Sequence, residues 1–438
     1  MSRKTISFAS TGLAAILVVA VVLGRVNRGP AARFTAAETV TRATDVGTAP
    51  MFAVSPAGAE AVAWVSAPGG GTDGRLYVSS GGRAPVELRD ELGPIEGHGE
   101  SPPKLVYGPD GALHALYVVA KVVPGRRFPL AALRYTRSTD DGRTWTTPVN
   151  VADDRTFGRH NFHSLHAAAD GSLYVAWLDG REGKSAAYLT RSADGGRTWE
   201  ANRRVGSGEA CPCCRTAVAT ASDGTVYVAW RIVLVGDVRD IVVAKSGDHG
   251  RTWTEPTRVQ ADDWVFHGCP HAGPAIQVDR DGHLHVAWWT GKEGAAGVYY
   301  TRSDDGGVTF TQAAPLGTAA ASRPAHVQLA LGPRREIAVV WDDGTKAIPQ
   351  VVLRVSQDGG RSFGPVVPVS VAGRVAGFPV VALRDTTLTV AWSEESVAAA
   401  ALEAKAMPNM KDPKAAMGLR PVGEAQVLVR RGSIRRGA

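Results

Sequence analysis

Sulfur is scarce in this chain: four cysteines and five methionines in 438 residues. Four cysteines could form one or two disulfides at most, yet three of them crowd into Glu209-Ala210-Cys211-Pro212-Cys213-Cys214-Arg215. Vicinal Cys213 and Cys214 cannot easily both enter unstrained bridges. The fourth, Cys269, stands in His267-Gly-Cys-Pro-His271 between two imidazoles. Also missing is any basic stripe interleaved with aromatics, which argues against a nucleic-acid partner. The net charge of +7 is largely terminal, carried by Arg3, Lys4, Arg25, Arg28 and Arg33 at one end and Arg430, Arg431, Arg435 and Arg436 at the other.

A second long apolar run is lacking too, so the chain does not read as a polytopic membrane protein. The single run, Ile6 to Gly24, is uncharged. At about 1.5 Å per residue its roughly 19 residues nearly cross a hydrocarbon core. We expect an N-terminal transmembrane or signal helix, with residues 1–33 as signal anchor and linker. The body is then membrane-anchored and extracytoplasmic, in a periplasm or at a cell surface. Basic residues on both flanks leave the orientation open.

What the chain has in abundance is repetition. Seven times an apolar strand, a tight turn and a second strand ending in an aromatic recur, anchored at Trp64, Tyr117, Trp177, Trp230, Trp288, Trp341 and Trp392. Alternating β-branched residues and Asp-Gly turns mark hairpins. The anchors lie 51 to 60 residues apart, a period suited to one four-stranded propeller blade. The expected fold is all-β, a seven-bladed β-propeller over residues 34–432, with an Ala/Met-rich insertion at 396–424 and a basic tail at 433–438. The last copy shows strands up to Gln426–Arg430 but no fourth. The segment Ala37–Arg42 resembles a fourth strand, so the N-terminal strand is expected to complete the last blade and remove its open edge.

Five copies carry a second motif: Ser138-x-Asp140-x-Gly142-x-Thr144-Trp145, Ser192-x-Asp194-x-Gly196-x-Thr198-Trp199, Ser246-x-Asp248-x-Gly250-x-Thr252-Trp253, Ser303-x-Asp305-x-Gly307-x-Thr309-Phe310 and Ser356-x-Asp358-x-Gly360-x-Ser362-Phe363. Short Asp and Ser side chains can bond turn amides, and Gly permits the turn. The motif resembles the Asp-box, or bacterial neuraminidase repeat, of the sialidase-like propellers, over about residues 50 to 395. The box belongs to an outer hairpin and says little about activity. Sialidases proper resemble a six-bladed ring, which is the alternative architecture.

In propellers the loops leading into the innermost strands open on one face near the axis. His98 and Glu100 precede the second such strand, His160 and His163 the third, and Cys211 to Arg215 the fourth. His267, Cys269 and His271 precede the fifth, Arg323 and His326 the sixth, Phe378 the seventh. Thiols and imidazoles thus fall at equivalent positions in consecutive blades. We expect a site at the axial face built from Cys211, Cys213, Cys214, Cys269, His267, His271, His160 and His163. Thiolate with imidazole admits zinc or copper. Met407, Met410 and Met417 in the last blade's insertion tilt the choice to copper, because thioethers suit Cu(I). An amphipathic helix packing those methionines on the propeller is the structural alternative. Haem is disfavoured, since Arg215 rather than His follows Cys211-x-x-Cys214.

Two rival functions stand beside metal handling or redox chemistry. The family resemblance implies an exo-sialidase-like glycoside hydrolase, for which Arg215, Arg323 and Glu100 are the candidate catalytic residues. The Arg-Ile-Pro motif of that family's first blade is absent, and no Tyr stands at an inner-strand entrance. The third reading is an extracytoplasmic binding or assembly scaffold taking a small-molecule or glycan ligand at the axial face.

Overall fold

The computed structural model describes residues 32–41, 45–68, 73–126, 129–318, 324–400 and 425–435. These form seven antiparallel sheets arranged as blades. Blade 1 runs from Asp45 to Leu88, blade 2 from Lys104 to Asn150, blade 3 from His160 to Arg204 and blade 4 from Glu209 to Arg258. Blade 5 spans Ala275 to Thr318, blade 6 Gln328 to Pro368, and blade 7 begins at Val375 and ends at Ile434. The sevenfold reading of the sequence therefore holds, and the six-bladed alternative falls.

The repeat fixes the ladder. In every blade the anchor aromatic sits on the second strand, and the residue just before it pairs with the inner strand: Lys104 with Leu116, Ser164 with Ala176, Ala217 with Ala229, Ala275 with Ala287. A small or aliphatic residue there lets the inner strand lie close to the axis. The anchors themselves point between blades and are buried, Trp177, Trp288 and Trp392 completely. Apolar clusters join blade 1 to 2, 2 to 3 and so on round to 7 and 1, where Phe52, Trp64, Val380, Ala391 and Val427 meet. Each blade buries two faces against its neighbours, the arrangement that strand pairs without a polar face require.

The ring closes as the sequence suggests. Glu38 and Thr39 pair with Val429 and Leu428, so the N-terminal segment supplies the outer edge of blade 7. Ala32–Phe34 adds further pairing with Gly432–Ile434, and the last strand runs to Ile434, two residues into the stretch read as a basic tail. The apolar run at 6–24 and most of the Ala/Met-rich insertion, including Met407, Met410 and Met417, lie outside the described residues. Among the described residues, no helix is long and apolar enough to cross a membrane.

Each Asp-box satisfies itself. In blade 2, Asp140 Oδ1 accepts from Ser138 Oγ at 2.7 Å and from the Thr144 N–H at 2.9 Å, while Oδ2 accepts from Thr144 Oγ1 at 2.6 Å. The Gly142 N–H donates to Ser138 Oγ at 2.8 Å. The same bonds recur around Asp194, Asp248, Asp305 and Asp358. The Thr144 hydroxyl, then its N–H and Ser138, hold the Asp140 carboxyl below its usual range. Gly196 has φ +85°, and a Cβ there would lie 1.8 Å from the Tyr135 hydroxyl of the preceding blade, so only glycine fits.

Candidate metal centre

The inner strands of blades 1, 3 and 7 share a one-residue bulge at their axial ends. Pairing skips between Thr48 and Met51, Asn161 and Ser164, and Gly377 and Val380. At each bulge a non-glycine residue takes left-handed dihedrals: Ala49 at φ 53°, Phe162 at 55°, Phe378 at 54°. Such bulges re-aim side chains beside functional sites. Blade 4 enlarges this device. Its pairing leaves at Ala210, opposite Ile232, and resumes at Ala217, opposite Ala229, so six residues on one strand face two on the other. That excursion is Cys211-Pro-Cys-Cys-Arg-Thr216. It is held at its base by the Cys211 N–H donating to the Arg231 carbonyl and at its end by the Thr216 N–H donating to the Phe162 carbonyl.

The excursion folds three thiols inward. Cys211, Cys213 and Cys214 are all buried, and the Cys211 sulfur lies 3.7 Å from that of Cys213 and 3.6 Å from that of Cys214. Cys269, on the exposed loop before blade 5, reaches the Cys213 thiol. Cys211, Cys213 and Cys214 thus converge, Cys269 meets the trio at Cys213, and none of the four is in a disulfide. The blade 5 loop is pinned here by the Ala272 N–H, which donates to Cys214 Sγ at 3.4 Å.

Two arginines set the potential. Arg239 Nη1 donates to Cys211 Sγ at 3.4 Å. Arg231 is fully buried and donates to the carbonyls of Ala272, Arg239 and Trp289, with its guanidinium 5.1 Å over the Trp264 ring. Among the described residues it has no carboxylate partner. Hydrogen bonds from Cys213 and Cys214, with these two guanidinium groups behind them, lower the Cys211 thiol, while hydrogen bonding to that thiolate raises Cys213 and burial raises Cys214. Of the three, Cys211 is thus the thiol most readily deprotonated. The trio can accept a cation by releasing its protons.

Sulfur spacing tests the fit. Metal–thiolate bonds of about 2.3 Å in a tetrahedron put the sulfurs about 3.8 Å apart. The observed 3.6 and 3.7 Å are close to that edge.

Three of the four imidazoles expected at this centre go elsewhere, which corrects the sequence-based ligand set for His160, His163 and His267. His160 is buried with Nε2 2.8 Å from Asp154 Oδ1 and 3.7 Å from Asp179 Oδ2, beside Arg181. His163 Nδ1 lies 3.4 Å from Ser101 Oγ, and burial, helped by Lys104, drives its pKa well down. His267 is exposed and pairs with Asp237 at 2.7 Å. Of the cysteines' neighbours only His271 stays near, with Nδ1 2.9 Å from the Cys269 carbonyl. In the sequence all of these residues precede inner strands, but a bulge changes which side a given position faces.

Arg215 and Glu100 also have other work. Glu100 Oε2 accepts from Arg215 Nη1 at 2.5 Å, and Oε1 accepts from the N–H groups of Arg215 and Gly273 at 3.1 and 2.6 Å. Arg215 Nη2 donates to the Val327 carbonyl at 2.6 Å. Both side chains are buried, so this pair ties blades 2, 4, 5 and 6 together across the axis. Two of the residues named for the hydrolase reading, Arg215 and Glu100, thus lie together and bond one another. Arg323 lies outside the described residues.

Above the pair, His98, Phe162 and His271 cluster with ring centroids 5.6 to 6.4 Å apart. Phe378 packs against Gly99, where a Cβ would lie 2.4 Å from its ring, and meets the His326 ring at 4.1 Å with a tilt of 40°. His326 is held by Asp342 at 2.6 Å.

Sequence reasoning missed Arg231 and Asp342, although a signal existed. Each directly follows an anchor tryptophan, where the first three blades and blade 5 carry Val65, Val118, Leu178 and Trp289. A charge at that position breaks the repeat, and both charges serve the axial face. Arg239 and Lys104 carry no comparable mark.

Two of the solved structures that this chain resembles share its fold. A protein of unknown function from Dyadobacter fermentans is 15% identical, with TM-score 0.54 over 93% of this chain and 100% of its own. An ulvan lyase, described as bound to -[GlcA(1-4)Rha3S]-, is 13% identical with TM-score 0.54, covering 81% and 93%. A Hadza microbial sialidase is 18% identical with TM-score 0.46, covering 76% and 73%. No curated protein matches the chain. The BNR repeat-like domain model matches residues 93–243 and 218–405. Together with the seven blades and five self-bonded boxes, that match places the chain in the BNR repeat-like family.

Proposed function

We propose that this propeller binds one thiophilic metal ion, zinc(II) or copper(I), at Cys211, Cys213 and Cys214 with Cys269 as the fourth ligand. The observation that carries the reading is the buried trio of sulfurs at tetrahedral spacing, faced by two guanidinium groups. All-thiolate ligation suits both ions. The spacing favours zinc, and the three methionines of the insertion favour copper. On this reading residues 1–33 hold the body outside the cytoplasm, where the centre handles metal. Metal analysis of protein purified from its native compartment should find one ion per chain, and Cys213→Ser should lose it. Cysteines paired as disulfides in metal-free protein would refute the proposal.

A glycan at the axial mouth is the second reading. It draws on the left-handed backbone at Phe162, His271 and Phe378, which holds partly exposed rings around one opening. Aromatic faces of this kind can stack on sugar rings without the arginine clamp of a sialidase. Titration calorimetry with neutral and acidic oligosaccharides, repeated on Phe378→Ala, would show a binding loss confined to that variant.

A further inference from the structure

The four thiols are not equivalent: three form the buried centre and the fourth reaches it at Cys213. Cys211, Cys213 and Cys214 lie on one continuous loop and are 0 to 4% exposed, whereas Cys269 is exposed and comes from the next blade. In a structural zinc site protein fills all four coordination positions, whereas a site that acts on something leaves one to an exchangeable ligand. Here the position open to exchange is the one filled by an exposed protein ligand on a separate loop.

The neighbouring imidazoles differ in a way that hydrogen bonding decides. A carbonyl oxygen only accepts, so His271 Nδ1, 2.9 Å from the Cys269 carbonyl, carries the hydrogen and leaves a lone pair on Nε2. His98 has the opposite arrangement. Its Nδ1 accepts from the Glu100 N–H at 3.2 Å, so Nε2 carries the hydrogen and cannot ligate. His271 is thus the imidazole at the mouth with a free nitrogen, two residues from the exposed thiol. Its backbone is fixed at φ 50°, and its ring rests against His98 and Phe162.

We infer that Cys269 and His271 form the exchange port of the centre, through which the ion passes to or from a carrier that presents a thiol. This rests on the metal reading above. In the step, the Cys269 sulfur–metal bond breaks as His271 Nε2 bonds to the ion, and that nitrogen–metal bond breaks in turn as a thiolate of the carrier bonds. The incoming thiol releases a proton to solvent, and the departing Cys269 thiolate takes one up. No electron is transferred, and the three buried thiolates keep the ion until the carrier supplies further ligands.

The full chain loaded with zinc alone tests this, with 4-(2-pyridylazo)resorcinol following release. Cys269→Ser should still load one zinc and lose it at least tenfold faster than wild type, since water replaces the fourth sulfur. His271→Ala should load normally and pass zinc to a dithiol acceptor at least fivefold more slowly. Independently of any variant, iodoacetamide should alkylate Cys269 alone in the loaded wild-type protein. Abolished loading in Cys269→Ser, unchanged release and transfer in both variants, or equal alkylation of all four thiols would each overturn the port. Wild-type protein that takes up neither zinc nor copper would overturn the metal reading itself.

Discussion

The two ends of each blade follow opposite rules. At the outer hairpins five Asp-boxes repeat one bonding pattern, and each bond of that pattern closes within 4 residues of the chain. At the axial face the side-chain bonding does not repeat: Glu100 bonds Arg215 and Gly273, 115 and 173 residues away, and the thiols come from two blades. Local self-sufficiency lets a box be copied blade after blade. Dependence across the ring lets a site be built once, where the blades converge. In a repeat protein, departures from the repeat therefore point to chemistry better than the repeat does.

That contrast can be broken most sharply at Glu100. Glu100→Ala strands Arg215 as an unpaired buried charge and should cost about 3–5 kcal/mol, read as a lowered midpoint in denaturant unfolding. If the loss matches that of a box mutation, the axial pair has no special role. Next comes Glu96, fully buried on the same face, whose pKa burial raises to about 8 against the single hydrogen bond from Asn161. The folded state favours its neutral form, so stability falls as pH rises from the unfolded value toward about 8. Glu96→Gln should raise Tm at pH 8 and leave it nearly unchanged at pH 5.

A smaller effect separates His326 and Asp342. Burial opposes charge on His326, but the Asp342 carboxylate outweighs it and the pKa is raised. The pair's contribution is complete below the unfolded histidine value of about 6.5 and is lost as pH rises through the folded value. Asp342→Asn should flatten the stability profile above that pH. The smallest change belongs to the rim. Asp248 is held below its usual range by the Thr252 hydroxyl first, then Ser246 and the Thr252 N–H. Its contribution is present above the unfolded value of about 3.9 and fades as pH drops toward the folded one. Asp248→Asn should lower Tm slightly at pH 7, and the two proteins should converge in acid.

Most of the architecture was legible in the sequence because its determinants are local. An Asp-box announces itself in eight residues, and an anchor tryptophan tells which strand follows. Closure of blade 7 was legible because Glu38 and Thr39 lie in a stretch resembling other fourth strands. The site was legible only in part. The cysteines could be placed together because Cys211, Cys213 and Cys214 share one short loop. Sorting the histidines required knowing where the ladder slips: between Asn161 and Ser164 a bulge intervenes, so His160 and His163 face different surroundings. Periodicity alone assigns sides only while the register is unbroken.

Blade 7 is stitched from both ends of the polypeptide, with Arg431 reaching Glu38 on one side and Glu60 of blade 1 on the other. Everything translated earlier must wait as an open arc with raw edges until Gln426–Ile434 emerges and finds its place. That final strand acts as a keystone, and clipping it would unlock the circle rather than shorten it.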